Sequence, residues 1–182
     1  MQRSQEALAL AQALGHPYNL ALAQFCAAYL YHRRRETPAL QAQAEALLAL
    51  ATTQGFPLWV GFGTGWLGWV LTMQGQGAAG LAQLHQGMTI ILATGQTLSR
   101  PYCLVLLAEA AGYAGQVEEG LRLLAEALTA FEANGRGDML AEAYRLQGEF
   151  LLRQAAQAEA CFQHALAIAR RHEPQPPMAA AE

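Results

Sequence analysis

The sequence contains no lysine, its only aspartate is Asp138, and 14% of its 182 residues are charged, against roughly 25% in a typical soluble domain. All eleven basic residues are arginine. Chemistry that needs a Schiff-base or phosphate-loop lysine is therefore excluded, as is a pair of aspartates on a metal ion. Cysteine is also sparse. Cys26, Cys103 and Cys161 lie far apart with no CxxC pair, which argues against a disulfide framework or a structural zinc site. They read as buried, reduced thiols in a cytoplasmic protein. Long apolar runs are missing too. Gly, Gln, His or Arg interrupts every apolar stretch before it reaches the roughly 18–20 residues of a membrane span. Gln5 and Glu6 stand where a signal peptide would carry its apolar region. A formal net charge of −3 gives no general pull toward nucleic acid or anionic lipid.

What the sequence has in abundance is alanine and leucine, within a 53% hydrophobic composition, which favours packed helices with small interfaces. Gly15, Gly55, Gly95 and Gly135 recur at a spacing of 40, each after an Ala/Leu-rich run. Glycine in that position is a helix stop. Each stop is followed by a restart at His16-Pro17, Phe56-Pro57, Ser99-Arg100-Pro101 or Asp138, because proline is tolerated in a first helical turn and Ser or Asp caps one. A second break falls inside each period, at Thr37-Pro38, Gly75-Gln76-Gly77, Gly115-Gln116 and near Gln154-Ala155. The pattern predicts an all-α chain with a leading helix at 2–14, then pairs at 17–34 and 38–54, 57–74 and 77–94, 100–114 and 117–134, and 138–154 and 156–171. Short connections make successive helices antiparallel. Leu71, Leu84, Met88, Leu104, Leu124 and Leu128 are expected to fill the core.

Leu67-Gly68 and Leu107-Ala108 lie 40 residues apart, with Gly148 a further period on. The run from Gly115 to Gly120 is followed by Ala127-Leu128, and Gly75, Gly80 and Gly87 repeat its pattern one period earlier. These residues resemble the two helices and the turn of the tetratricopeptide (TPR) repeat. The first pair departs from the pattern, with Arg35 in place of a turn glycine and Leu47 in place of a small residue. The last aligns with a period of 38, which implies a shortened turn between its helices. The resemblance implies a right-handed α-solenoid over residues 1–172, a half repeat plus four helix pairs, with a disordered Pro-rich tail at 173–182. The 40-residue period and the run 141–162 resemble the C-terminal arrays of bacterial signalling proteins. Those arrays are attached to ATPase, nucleotide-cyclase or DNA-binding modules. Both ends read as cuts through a longer array, or as ends covered by self-association.

In the register of that family, the face that forms the concave groove carries Phe25, Tyr29, His32 and Arg33 from the first pair and Phe62 and Trp69 from the second. Tyr102, Glu109 and Tyr113 follow from the third pair, and Arg145, Glu149 and Arg153 from the fourth. Trp59, Phe62, Trp66 and Trp69 form an aromatic stripe beside the glycine stripe Gly61, Gly65 and Gly68. The glycines read as a close helix contact. A phosphate loop is excluded because no strand precedes them and no GK[ST] follows. The aromatics divide between core and groove. Arg33-Arg34-Arg35 reads as a cationic last turn that complements its helix dipole. The histidines show no metal-binding spacing, and no catalytic constellation stands out.

The expectation is therefore a non-enzymatic scaffold, without cofactor or metal, that binds a protein or peptide segment in its groove. That segment could belong to another domain of a parent protein. The alternative is a segment that senses a small effector and regulates an attached ATPase, cyclase or DNA-binding module. A closed apolar pocket near Trp59 to Trp69, rather than an open groove, would favour the alternative.

Overall fold

The computed structural model describes the backbone of residues 2–134 and 139–171, with side chains at 3–133, 139–155 and 159. Within those residues the protein is all-helical: α1 (Gln2–Leu14), α2 (Pro17–Arg33), α3 (Thr37–Gln54), α4 (Pro57–Met73), α5 (Gly77–Ala93), α6 (Arg100–Tyr113), α7 (Val117–Asn134) and α8 (Leu140–Arg171). Helices α2, α3, α4 and α6 each open with proline in their first two positions, where the missing N–H costs nothing. The expected stops at Gly15, Gly55 and Gly95 all adopt positive φ. Gly135 and Asp138 lie outside the described residues.

The α2–α3 turn is unusual. Where α4 and α6 end, Gly75 and Gly115 take φ of 83° and 80°, and the residue after each glycine donates back to Leu71 or Ala111. Arg35 holds the same position after α2 with φ 59°, and Glu36 N–H donates to the Tyr31 carbonyl at 3.0 Å. A left-handed non-glycine residue costs about 1–2 kcal/mol, so something must hold Arg35 there.

Packing follows the glycines where α4 meets α5. A Cβ on Gly68 would lie 2.7 Å from the Gly80 carbonyl oxygen and from Leu84 N, and one on Gly87 would lie 2.6 Å from Gly61 O and Gly65 N. Gly68 faces Gly80 and Gly61 faces Gly87, so position runs up one helix as it runs down the other. The two are antiparallel and nearly in backbone contact. Every helix packs on its neighbours in sequence, and α4 also touches α2 and α6, as α6 touches α8. No odd-numbered helix touches another odd-numbered helix among the described residues. The even-numbered helices therefore share one side of the stack, and α3, α5 and α7 form the other.

Leu84, Leu104, Leu124 and Leu128 are buried as expected. Met88 is partly buried against the core, and Leu71 is only half-buried. Phe150 of α8 is wedged against Gly112 of α6 and Gly120 of α7, where any added Cβ would strike its ring. Two expectations require correction. There is no break near Gln154-Ala155: α8 is one 32-residue helix, because Gln154-Ala155-Ala156-Gln157 are all good helix formers with no glycine or proline among them. The fourth pair is thus a single helix. Cys26 lies at the surface. Cys103 is buried, and burial pushes its thiol up to about 12. Among the described residues no helix is long and apolar enough to cross a membrane.

Candidate functional site

Two of the cavities among the described residues lie where α2, α4, α6 and α8 meet. The larger, of about 480 Å³, receives His32 and Arg33 from α2, Arg35 from the following turn and Trp69 from α4. Glu109 and Tyr113 of α6 and Glu142, Arg145, Glu149 and Arg153 of α8 complete its charged and aromatic lining. The smaller, of about 340 Å³, is lined by Phe25, Tyr29, Phe62 and Tyr102, with Trp59, Phe131 and Met139 beside them. Every groove position expected from the sequence lies on one of these two cavities.

Glu109 organises the charged cavity. Its carboxylate is 2% exposed, and a buried charge is stable only if paired and hydrogen-bonded. Trp69 Nε1 donates to its Oε2 at 2.8 Å, and Arg35 Nη1 forms a close ion pair with its Oε1. Arg35 also donates through Nη2 to Glu142 at 3.0 Å and lies 5.7 Å above the Trp69 ring. One side chain, launched from a strained turn after α2, thus binds α4, α6 and α8 together. This accounts for an arginine at a glycine position: Arg33 lies in the cationic last turn of α2 as expected, whereas Arg35 lies beyond it and reaches across to α6 and α8. Arg33 donates to Met139 Sδ at 3.1 Å and faces Glu142 at 3.9 Å. Arg34 pairs outward with Glu36.

His32 joins this cluster from below. Its pKa is lowered to about 3, first by burial and then by Arg35 and Arg33, with Glu142 opposing. Glu109 Oε2 lies 3.7 Å from His32 Nε2, but that carboxylate is already engaged by Arg35 and Trp69, so the imidazole is neutral. Its tautomer follows from its neighbours. Trp66 Nε1 can only donate, and does so to Tyr102 Oη at 2.9 Å. The phenol proton then points to His32 Nδ1, 3.3 Å away, which leaves the imidazole proton on Nε2, facing Glu109 without a hydrogen-bond partner. Burial pushes the Tyr102 phenol pKa far up. The His32–Tyr102 contact is also the partition between the two cavities.

At the outer rim, Arg145 donates to Glu142 at 2.7 and 2.9 Å and pairs with Glu149. The Glu142 carboxyl is held low by Arg145, Arg35 and Arg33 against the opposing effect of burial. Arg153 donates to the Gly112 carbonyl at 3.1 Å and lies over Tyr113 and Phe150. Four arginines against three glutamates line the cavity, and His32 is neutral, so a local excess of positive charge results.

The structure also separates the candidates by access. Trp69 is wholly buried, and Phe62, Tyr102, His32 and Glu109 are each less than a tenth exposed. Trp59 and Trp66 are buried as well, so the whole stripe belongs to the core, closed over by α2 and α6. The sequence assigns Trp69 to the groove register while leaving the α4 aromatics divided between core and groove, and the structure makes Trp69 a packed, hydrogen-bonded wall. Tyr113, Arg145, Glu149 and Arg153 remain open, and Phe25, Tyr29 and Arg33 are partly so. Arg35, Glu142 and Phe150 were missed as site residues. Of these, only Arg35 carries a local signal, its place in a turn that otherwise holds glycine. Among the described residues no cluster of His, Cys, Asp or Glu could hold a metal ion. Comparison with family models and with curated proteins finds no match for the chain.

Proposed function

We propose that the chain is a TPR-type right-handed solenoid segment whose even-helix side binds an acidic stretch of a partner protein or of another domain in its parent. The observation that carries this reading is the convergence of α2, α4, α6 and α8 on one cavity lined by four arginines and three glutamates, with Arg145 and Arg153 at its solvent-open rim. The 40-residue register of the turn glycines supports the repeat assignment, and the mutual contacts of the even helices match the inner face of such an array. Arg153 donates through Nη1 to the Gly112 carbonyl and offers its remaining donors to an incoming carboxylate. Arg145 does so by exchanging its Glu142 and Glu149 partners, since guanidinium forks bind carboxylates in two-point fashion. Tyr113 offers an exposed ring beside them, and Tyr and Arg carry much of the energy in interfaces. The Arg35–Glu109–Trp69 cluster, anchored on buried Glu109 and Trp69, keeps these groups in register and is not itself displaced.

Binding to an array of acidic, basic and neutral 12-residue peptides tests this directly. Acidic peptides should be retained, with affinity falling as salt rises. The Arg145→Ala/Arg153→Ala protein, altered only at open positions, should lose about tenfold or more. Retention of basic peptides, or binding indifferent to both substitutions, contradicts the reading.

A further inference from the structure

We propose that the aromatic cavity is a second site, for a small, uncharged, planar aromatic ligand. The proposal goes beyond the peptide reading and is independent of what occupies the charged cavity. At about 340 Å³ the space falls within the roughly 300–1,000 Å³ of small-molecule sites. It is too confined for a helix, which with side chains is roughly 10–12 Å across.

Rings from four helices surround it: Phe25 and Tyr29, Trp59 and Phe62, Tyr102, and Phe131. They meet at tilted or edge angles, with centroids 5.1 Å apart for Phe25 and Trp59, 4.7 Å for Phe25 and Phe62, and 5.4 Å for Tyr29 and Tyr102. Both faces and edges are thus turned toward a guest, the arrangement that favours a flat aromatic body. The walls are fixed from behind. Tyr102 is held by Trp66 and His32, and Phe62 rests on Trp66, so the cavity exists before a ligand arrives.

No charged side chain lines it, so an ionic ligand would lose its water without gaining a partner. Trp59 is 5% exposed and its Nε1–H is enclosed away from the cavity, so what it presents to the wall is apolar ring. Gln96, Leu98 and Ser99 of the α5–α6 connection form one side of the cavity. There Gln96 Oε1 accepts from both the backbone N and the Oγ of Ser99 at 2.9 Å, and Leu98 is 59% exposed.

The test is a titration of the full ¹⁵N-labelled chain with three probes, followed through the tryptophan indole N–H signals and assigned with the Trp59→Phe protein. Quinoline and naphthalene are uncharged planar rings, and 2-naphthoate adds a charge. The expected result is a saturable shift of the Trp59 indole signal by quinoline and by naphthalene, with 2-naphthoate about fivefold weaker or more. Contacts from bound quinoline to Phe25 and Phe131 protons, read as intermolecular Overhauser effects in the unaltered protein, locate the site even where Trp59→Phe does not fold. No saturable shift with quinoline, a response confined to Trp66 or Trp69, or equal binding of quinoline and 2-naphthoate overturns the proposal.

Discussion

Replacing His32 with glutamine should remove a specific part of the protein's acid sensitivity. In the folded protein the imidazole is neutral, with a pKa lowered to about 3 by burial and by the adjacent arginines. Unfolded, it titrates near its ordinary value of about 6.5. A depressed histidine pKa means that the unfolded chain binds the extra proton. Stability from this group is therefore complete above the unfolded value and is lost as pH falls toward the folded one. Between about pH 7.5 and about pH 5.5 the folded imidazole stays unprotonated while the unfolded one goes from about one-tenth to about nine-tenths charged. The loss is then RT ln(1 + 10) less a small residue, about 1.4 kcal/mol. For a chain of this size that corresponds to about 3–6 °C in Tm. Glutamine can accept from Tyr102 and donate toward Glu109 without titrating, and the remaining histidines are common to both proteins and cancel. Thermal unfolding followed by tryptophan fluorescence should show the wild type losing about 1.4 kcal/mol more than His32→Gln over this interval. Parallel pH dependence in the two proteins would refute the buried, neutral imidazole and the hydrogen-bond order built on it.

Arg35→Gly relaxes a left-handed turn by about 1 kcal/mol but leaves Glu109 buried and unpaired, at a cost near the lower end of about 3–5 kcal/mol. The net expectation is a loss of about 2 kcal/mol in thermal unfolding, much of it recovered by Glu109→Gln in the same chain; a stabilised Arg35→Gly protein would show the clamp to be idle. Gly68→Ala should improve helix propensity by about 1 kcal/mol and still destabilise overall. Overpacking costs about 1–3 kcal/mol, and the new methyl would sit against the α5 backbone; a higher Tm would contradict that contact.

The turn glycines were legible because a positive φ leaves a compositional mark at a fixed position, as Gly55, Gly75 and Gly115 show. The continuity of α8 was not. The break at Gln154 was carried forward by the repeat period, where the local residues carry no stop. The choice of face was legible from helical spacing, whereas its burial was not, since Trp69 is covered by residues that arrive from α2 and α6. Arg35 stood out only as a departure from pattern. Its partners, Glu109 and Glu142, lie 74 and 107 residues away, and no local periodicity connects them.

The central claim is that the even-helix side recognises acidic partner segments, and hydrogen exchange on the chain with and without an acidic peptide retained from the array tests it most directly. Protection concentrated in α2, α6 and α8 around Arg33, Tyr113, Arg145 and Arg153, with α3, α5 and α7 unchanged, is the predicted result. Protection confined to α3, α5 and α7 would contradict it.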